Sequence, residues 1–155
     1  MDGDGLPEGV IGAVNADGTR GRAGAAYVVA GALLGVHVVT KARTTIYGET
    51  AGGRAGIAVL GLRDADGDGL GELAIGAPGA GPTLGGGVYL FHGPPAGTFD
   101  VTDADVRWYG DVGEDLGATL AGADLDGDTL ADLIIGGRGY GGDVGRVWVI
   151  PGAGR

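Results

Sequence analysis

The chain contains no cysteine, no serine and no glutamine in its 155 residues. Without cysteine there is no disulfide framework, no thiolate metal site and no Cys nucleophile. Without serine every Ser-based hydrolase mechanism is excluded. Lysine occurs once, at Lys41, and the 10 bases face 20 acids, for a formal net charge of −10. Such a surface is poorly matched to a nucleic-acid backbone or an anionic membrane, so neither is an expected partner. No apolar run reaches the ~18 residues of a spanning helix, so membrane insertion is not expected. The opening Met1–Gly5 lacks the basic and apolar regions of a signal peptide.

Glycine is abundant instead, at 38 residues, far above the usual ~7%. There is no G-X-Y period, which excludes collagen, and a hydrophobic content of 44% is too high for a disordered linker. The chain repeats itself. DADGDGLGELAIGA at 64–77 returns as DLDGDTLADLIIGG at 124–137, a spacing of 60 residues. GGVYLFHGP (86–94) matches GRVWVIPGA (145–153), and IYGETAGGRAGIAVLG (46–61) matches WYGDVGEDLGATLAG (108–122). A partial copy opens the chain as MDGDGLPEGVIGA (1–13) followed by GAAYVVAG (24–31).

Each unit carries up to four short apolar runs bounded by Gly, Pro, Asp or Thr. In the middle unit these are Gly56–Leu62, Leu70–Ala77, Gly87–His92 and Val106–Gly110. Runs of this length rich in Val, Ile, Leu, Tyr and Trp read as strands, and none is long enough for an ordinary amphipathic helix. Val88–Phe91 and Val147–Ile150 are apolar at consecutive positions, which implies strands covered on both faces. Four-stranded sheets stacked at a fixed sequence period describe a β-propeller; a generic β-sandwich would share the strand signal but not the repetition. The expected fold is all-β: a partial β-propeller of about two and a half four-stranded antiparallel blades. One domain spans 1–155, with an incomplete first blade at 1–48, a second at 49–110 and an incomplete third at 111–155. About ten strands are too few to close a ring, so the chain is expected to contact further blades or to self-associate through exposed apolar blade faces.

The strongest chemical signal is D-x-D-G-D-x-L-x-[ED]-L. Asp64, Asp66, Asp68 and Glu72 occupy positions one, three, five and nine in the middle unit, as Asp124, Asp126, Asp128 and Asp132 do in the last. Alternate carboxylates in a tight loop can converge on one hard cation. With the carbonyl of Leu70 or Leu130 at position seven, and water, they supply the six to eight oxygens that Ca²⁺ takes. The opening copy keeps Asp2, Asp4, Leu6 and Glu8 but lacks the first ligand. Mg²⁺ is less suited because it prefers fewer carboxylates in a rigid octahedron, and Zn²⁺ because Cys and clustered His are absent. An EF-hand would need a bidentate Glu at position twelve and flanking helices; here position twelve is Ile75 or Ile135 in a strand-like run. Plain Asp-Gly turns are the simpler alternative. Against them stand two near-identical copies, and 11 of the 20 acids placed in the three loops. Gly69 at position six allows the sharp turn, and Thr129 replaces it in the last unit.

These motifs resemble the FG-GAP repeat of integrin alpha subunits and many bacterial secreted proteins. F-G appears as Leu116-Gly117 and Ala55-Gly56, G-A-P as Gly76-Ala77-Pro78 with degenerate copies at Gly136-Gly137-Arg138 and Gly12-Ala13-Val14, and G-x-V-Y-V as Gly86–Phe91 and Gly145–Ile150. The resemblance implies an extracellular or cell-surface propeller with structural calcium ions, acting in adhesion or in recognition of protein or carbohydrate ligands, and in some members appended to enzymes. The residues offer no evident chemistry. His37 and His92 read as packed or edge histidines. Asp100, Asp103, Asp105, Asp111, Glu114 and Asp115 read as solvated turn acids. Trp108, Tyr109 and Trp148 read as blade-to-blade core, with Tyr140 the best candidate for stacking on a sugar. The expectation is therefore a binding module and not an enzyme; an accessory propeller of a secreted carbohydrate-active or phospholipase-type enzyme, and a fragment that assembles into a ring, are the alternatives.

Overall fold

The computed structural model describes residues 6–18, 20–31, 38–93, 96–139, 142 and 144–153. Eleven strands are seen among them: β1 Gly9–Ala13, β2 Ala25–Val29, β3 Thr44–Tyr47, β4 Ala58–Leu62, β5 Glu72–Ala77, β6 Gly87–Phe91, β7 Gly97–Asp100, β8 Val106–Tyr109, β9 Leu116–Ala123, β10 Asp132–Gly137 and β11 Arg146–Ile150. They form three sheets, ordered β1-β2-β3-β7, β4-β5-β6-β8 and β11-β10-β9. The sheets are β-propeller blades, stacked face to face.

The middle blade is an antiparallel meander. Ile75 of β5 sits opposite Val59 of β4 and Tyr89 of β6, and Val88 of β6 opposite Trp108 of β8. Both faces of this blade are buried, as its consecutive apolar residues require. Leu73, Ile75, Tyr89 and Phe91 face one core, shared with Val28 and Ile46 of the first blade. Ala74, Val88 and Leu90 face a second core, shared with Leu116, Leu133 and Ile135 of the third. Each large apolar side chain buried this way contributes about 1.5–3 kcal/mol. The third blade has no described neighbour beyond it, and Val147 and Val149 of β11 are 67% and 53% exposed.

One strand departs from the expected pattern. β7, in the connection between β6 and β8 of the middle blade, leaves that blade and pairs in parallel with β3 of the first, Ile46 opposite Phe99. Antiparallel pairing throughout is therefore corrected at this edge. GTFD is too short and too polar to register as a strand on its own. Phe99 docks on the first core, and Val101 just beyond it is fully buried there. Asp100 and Asp103 close a reciprocal capping box around the short 3-10 turn Val101–Asp103.

The glycine excess has a specific structural cause in the F-G and G-A-P motifs. A Cβ on Gly76 of G-A-P would lie within 3.0 Å of backbone atoms of Gly117, the F-G glycine of the next blade. Gly12 stands in the same relation to Gly56. Gly56 and Gly117 themselves both have φ +85°, a conformation that disfavours a side chain. The two motifs are thus the two sides of one backbone-to-backbone contact between blades.

A second device recurs across the two interfaces. Tyr89 on β6 donates its hydroxyl to Glu49, and Trp148 on β11 donates Nε1 to Glu114 at 2.8 Å. Burial, then the hydrogen bond to Glu49 and its charge, hold the Tyr89 phenol far above its ordinary range. Glu114 is fully buried, which corrects its reading as a solvated turn acid. It also accepts from the Asp111 amide at 2.9 Å, and Arg146 lies 3.5 Å away.

Candidate metal centres

The two acidic loops join β4 to β5 and β9 to β10. Both are built by their own carboxylates accepting backbone amides. Asp64 accepts from Gly67 at 2.7 Å and Gly69 at 2.9 Å; Asp124 accepts from Gly127 at 2.7 Å and Thr129 at 3.0 Å. Asp66 and Asp126 accept from the amides of Asp68 and Asp128. Asp68 and Asp128 accept from the amides of Leu70 and Leu130, each at 2.8 Å. The turn needs left-handed backbone at position six: Gly69 has φ +83° and Thr129 keeps φ +79°. A β-branched residue there is strained, yet the loop shape persists.

These bonds gather the acids. Asp64, Asp66, Asp68 and Glu72 bring carboxylate oxygens within 4.8 Å of one another, and Asp124, Asp126 and Asp128 do the same. The middle group is half sunk into the protein: Asp66 is 5% and Glu72 0% exposed. Burial above all, then the charges of Asp66, Asp64 and Asp68, push the Glu72 carboxyl up to about 7, against the pull of the Ala65 amide. Glu72 Oε2 accepts that amide at 2.7 Å, while Oε1 is buried with no hydrogen-bond partner. A buried bare carboxylate oxygen facing three further acids suits a cation, and an all-carboxylate loop with water suits Ca²⁺.

Asp132 differs. Its two oxygens accept from the amides of Leu125 at 2.7 Å and Gly152 at 2.9 Å, and it stays outside the group formed by Asp124, Asp126 and Asp128. Glu8 and Leu6 join no acidic group among the described residues, and Asp2 and Asp4 lie outside them. So do His37 and Tyr140. His92 is not a plain packed histidine: its Nδ1 lies 2.9 Å from Asp66 Oδ2, at the middle loop. The one sequence signal for it was the alignment of His92 with Pro151 between repeats. Three of the other turn acids are engaged structurally: Asp105 accepts from the His92 amide, Asp115 pairs with Arg138 and Asp111 with Arg146.

Residues 116–150, the span from β9 through β11, match the FG-GAP repeat family. The chain is 35% identical over 150 residues to integrin alpha-PS2 of Drosophila melanogaster, covering 88% of this chain and 10% of that protein. It is 33% identical over 149 residues to integrin alpha-5 of Xenopus laevis, covering 90% of this chain and 14% of that protein. It is also 34% identical over 121 residues to human phosphatidylinositol-glycan-specific phospholipase D, covering 73% of this chain and 14% of that one. The chain thus spans about a tenth to a seventh of the length of these relatives. With the F-G and G-A-P glycines meeting between its blades and the acidic loop repeated inside them, the chain belongs to the FG-GAP repeat family of integrin-alpha-like propeller repeats.

Proposed function

We propose that the chain is a calcium-stabilised propeller segment that serves as a recognition module of the adhesion type, with no chemistry of its own. The observation that carries the calcium role is the buried, unpartnered Oε1 of Glu72 facing Asp64, Asp66 and Asp68. A cation there would offset the repulsion of clustered acids and pin each β4–β5 type connection. Extracellular modules bind Ca²⁺ on the order of 10⁻⁴–10⁻³ M, which suits a cell surface or secreted setting. The ligand on this reading is a protein or a carbohydrate held by a face of several blades, with further blades or further copies completing the array; the exposed Val147 and Val149 favour such a neighbour.

Thermal unfolding with and without chelator tests the calcium role. Chelation should lower the melting temperature by several degrees, and Asp66→Ala combined with Asp126→Ala should abolish the difference. A melting curve indifferent to chelator in the unaltered protein refutes it. A second reading, an accessory propeller beside a phospholipase-type catalytic domain, is favoured by the similarity to phosphatidylinositol-glycan-specific phospholipase D. Turnover on a panel of phospholipids and glycans separates the two: activity lost on altering a non-loop acid would overturn the binding-module reading.

A further inference from the structure

Two differences between the repeats fall at one place. Glu72 stands where the last repeat has Asp132, and His92 where it has Pro151. In the last repeat Asp132 has both oxygens occupied by the amides of Leu125 and Gly152. In the middle repeat the longer Glu72 takes the equivalent first amide, from Ala65, and keeps Oε1 bare and buried. The His92 imidazole stands beside it, with Nδ1 2.9 Å from Asp66 Oδ2 and its own backbone amide fixed on Asp105 at 2.8 Å. Asp66, Glu72 and His92 therefore form a second convergent group, with donor atoms within 4.8 Å of one another. It shares two acids with the calcium-type loop but adds a nitrogen.

The geometry points to a mixed nitrogen–oxygen cation position at Asp66, Glu72 and His92 that, through its imidazole, takes a first-row transition ion such as Zn²⁺ in preference to Ca²⁺, and that is present in the middle blade only. It builds on the metal-binding reading of this loop, yet differs from it in donor set and ion. Ca²⁺ takes oxygen ligands, whereas imidazole suits Zn²⁺ and its neighbours in the first transition row. Like Glu72 Oε1, His92 Nδ1 is buried with no hydrogen-bond partner, so both donor atoms are open to a cation. Three protein ligands leave a fourth position to water. Asp66 and His92 also border a cavity of about 330 Å³ whose wall includes Leu90, Trp108 and Ile150. An apolar border of this kind limits competing solvent and strengthens the metal–ligand interaction.

The test is a calorimetric Zn²⁺ titration of the full chain without added Ca²⁺, repeated in millimolar Ca²⁺, which should compete for the shared Asp66 and Glu72. The expected result is one Zn²⁺ per chain, weakened at least tenfold by His92→Ala and unchanged by His37→Ala. His92→Ala should retain the Ca²⁺-dependent rise in melting temperature. A second measurement needs no variant in the site: long-range ¹H–¹⁵N spectra of the two histidines, assigned with His37→Ala, should show Zn²⁺ moving Nδ1 of His92. Equal Zn²⁺ affinity with and without His92, or an Nδ1 signal unmoved at saturating Zn²⁺, overturns the proposal and leaves a simple close contact of His92 with Asp66. Should Ca²⁺ leave the melting temperature unchanged while Zn²⁺ still binds through His92, the calcium reading fails and this one stands. If Ca²⁺ stabilises but Zn²⁺ ignores His92, the reverse holds.

Discussion

Replacing Gly76 with alanine tests the blade-to-blade contact on which the fold reading rests. Glycine inside a strand costs about 0.5–1 kcal/mol relative to alanine, because it loses more freedom on folding. Gly76 lies inside β5 and is not among the residues with positive φ. Given room, Gly76→Ala would therefore stabilise the protein. The room is absent. The new Cβ would lie inside contact distance of the Gly117 carbonyl oxygen, 3.0 Å from its carbon and 3.3 Å from its Cα. All three are backbone atoms, so no rotamer change relieves the crowding, and the two blades must part. Overpacking of this kind costs about 1–3 kcal/mol, occasionally more. We expect a net loss of about 2 kcal/mol, seen as a melting temperature lowered by roughly 4–8 °C for a chain of this size. In urea the midpoint should fall with the slope unchanged. Gly69→Ala is the control. Gly69 has φ +83° but nothing within 4 Å of its would-be Cβ, so only the left-handed strain of about 1–2 kcal/mol applies. Gly12→Ala, packed on Gly56, should behave like Gly76→Ala. A midpoint for Gly76→Ala equal to or above that of the unaltered protein would show that the two motifs do not meet as described.

Thr129→Gly relieves the left-handed strain in the last acidic loop at an exposed position, and should raise stability by about 1 kcal/mol in thermal unfolding. Trp148→Phe removes the donor to Glu114 and leaves Oε1 of a fully buried carboxylate unsatisfied; a loss of about 1–3 kcal/mol is expected in chemical denaturation. Tyr89 gives a signature at alkaline pH. Its folded pKa lies above the unfolded value near 10, so its contribution is complete below pH ~10 and is lost as pH rises beyond that, at up to ~1.4 kcal/mol per pH unit. Melting temperatures between pH ~9 and ~11 should fall less steeply for Tyr89→Phe than for the unaltered chain, and parallel slopes would contradict the assignment.

The sequence alone was enough for the propeller. The 60-residue repetition and the doubly apolar strands leave few ways to bury both faces of one sheet, and the middle blade follows its apolar runs to within about two residues. The acidic loops were legible for a similar reason: their hydrogen bonds run between residues two to seven apart, so spacing dictates shape. Contacts between residues distant in the chain were not legible. The parallel docking of β7 on β3 depends on an edge supplied by another blade, which no local pattern records. Glu114 looks like any turn acid until Trp148, 34 residues on, closes over it. Asp132 and Glu72 hold one repeat position, yet only the tertiary structure gives Asp132 a second amide, from Gly152, and leaves Glu72 an open oxygen beside His92. A carboxylate's role follows from which donors reach it, and those donors arrive through the packing of strands distant in the chain.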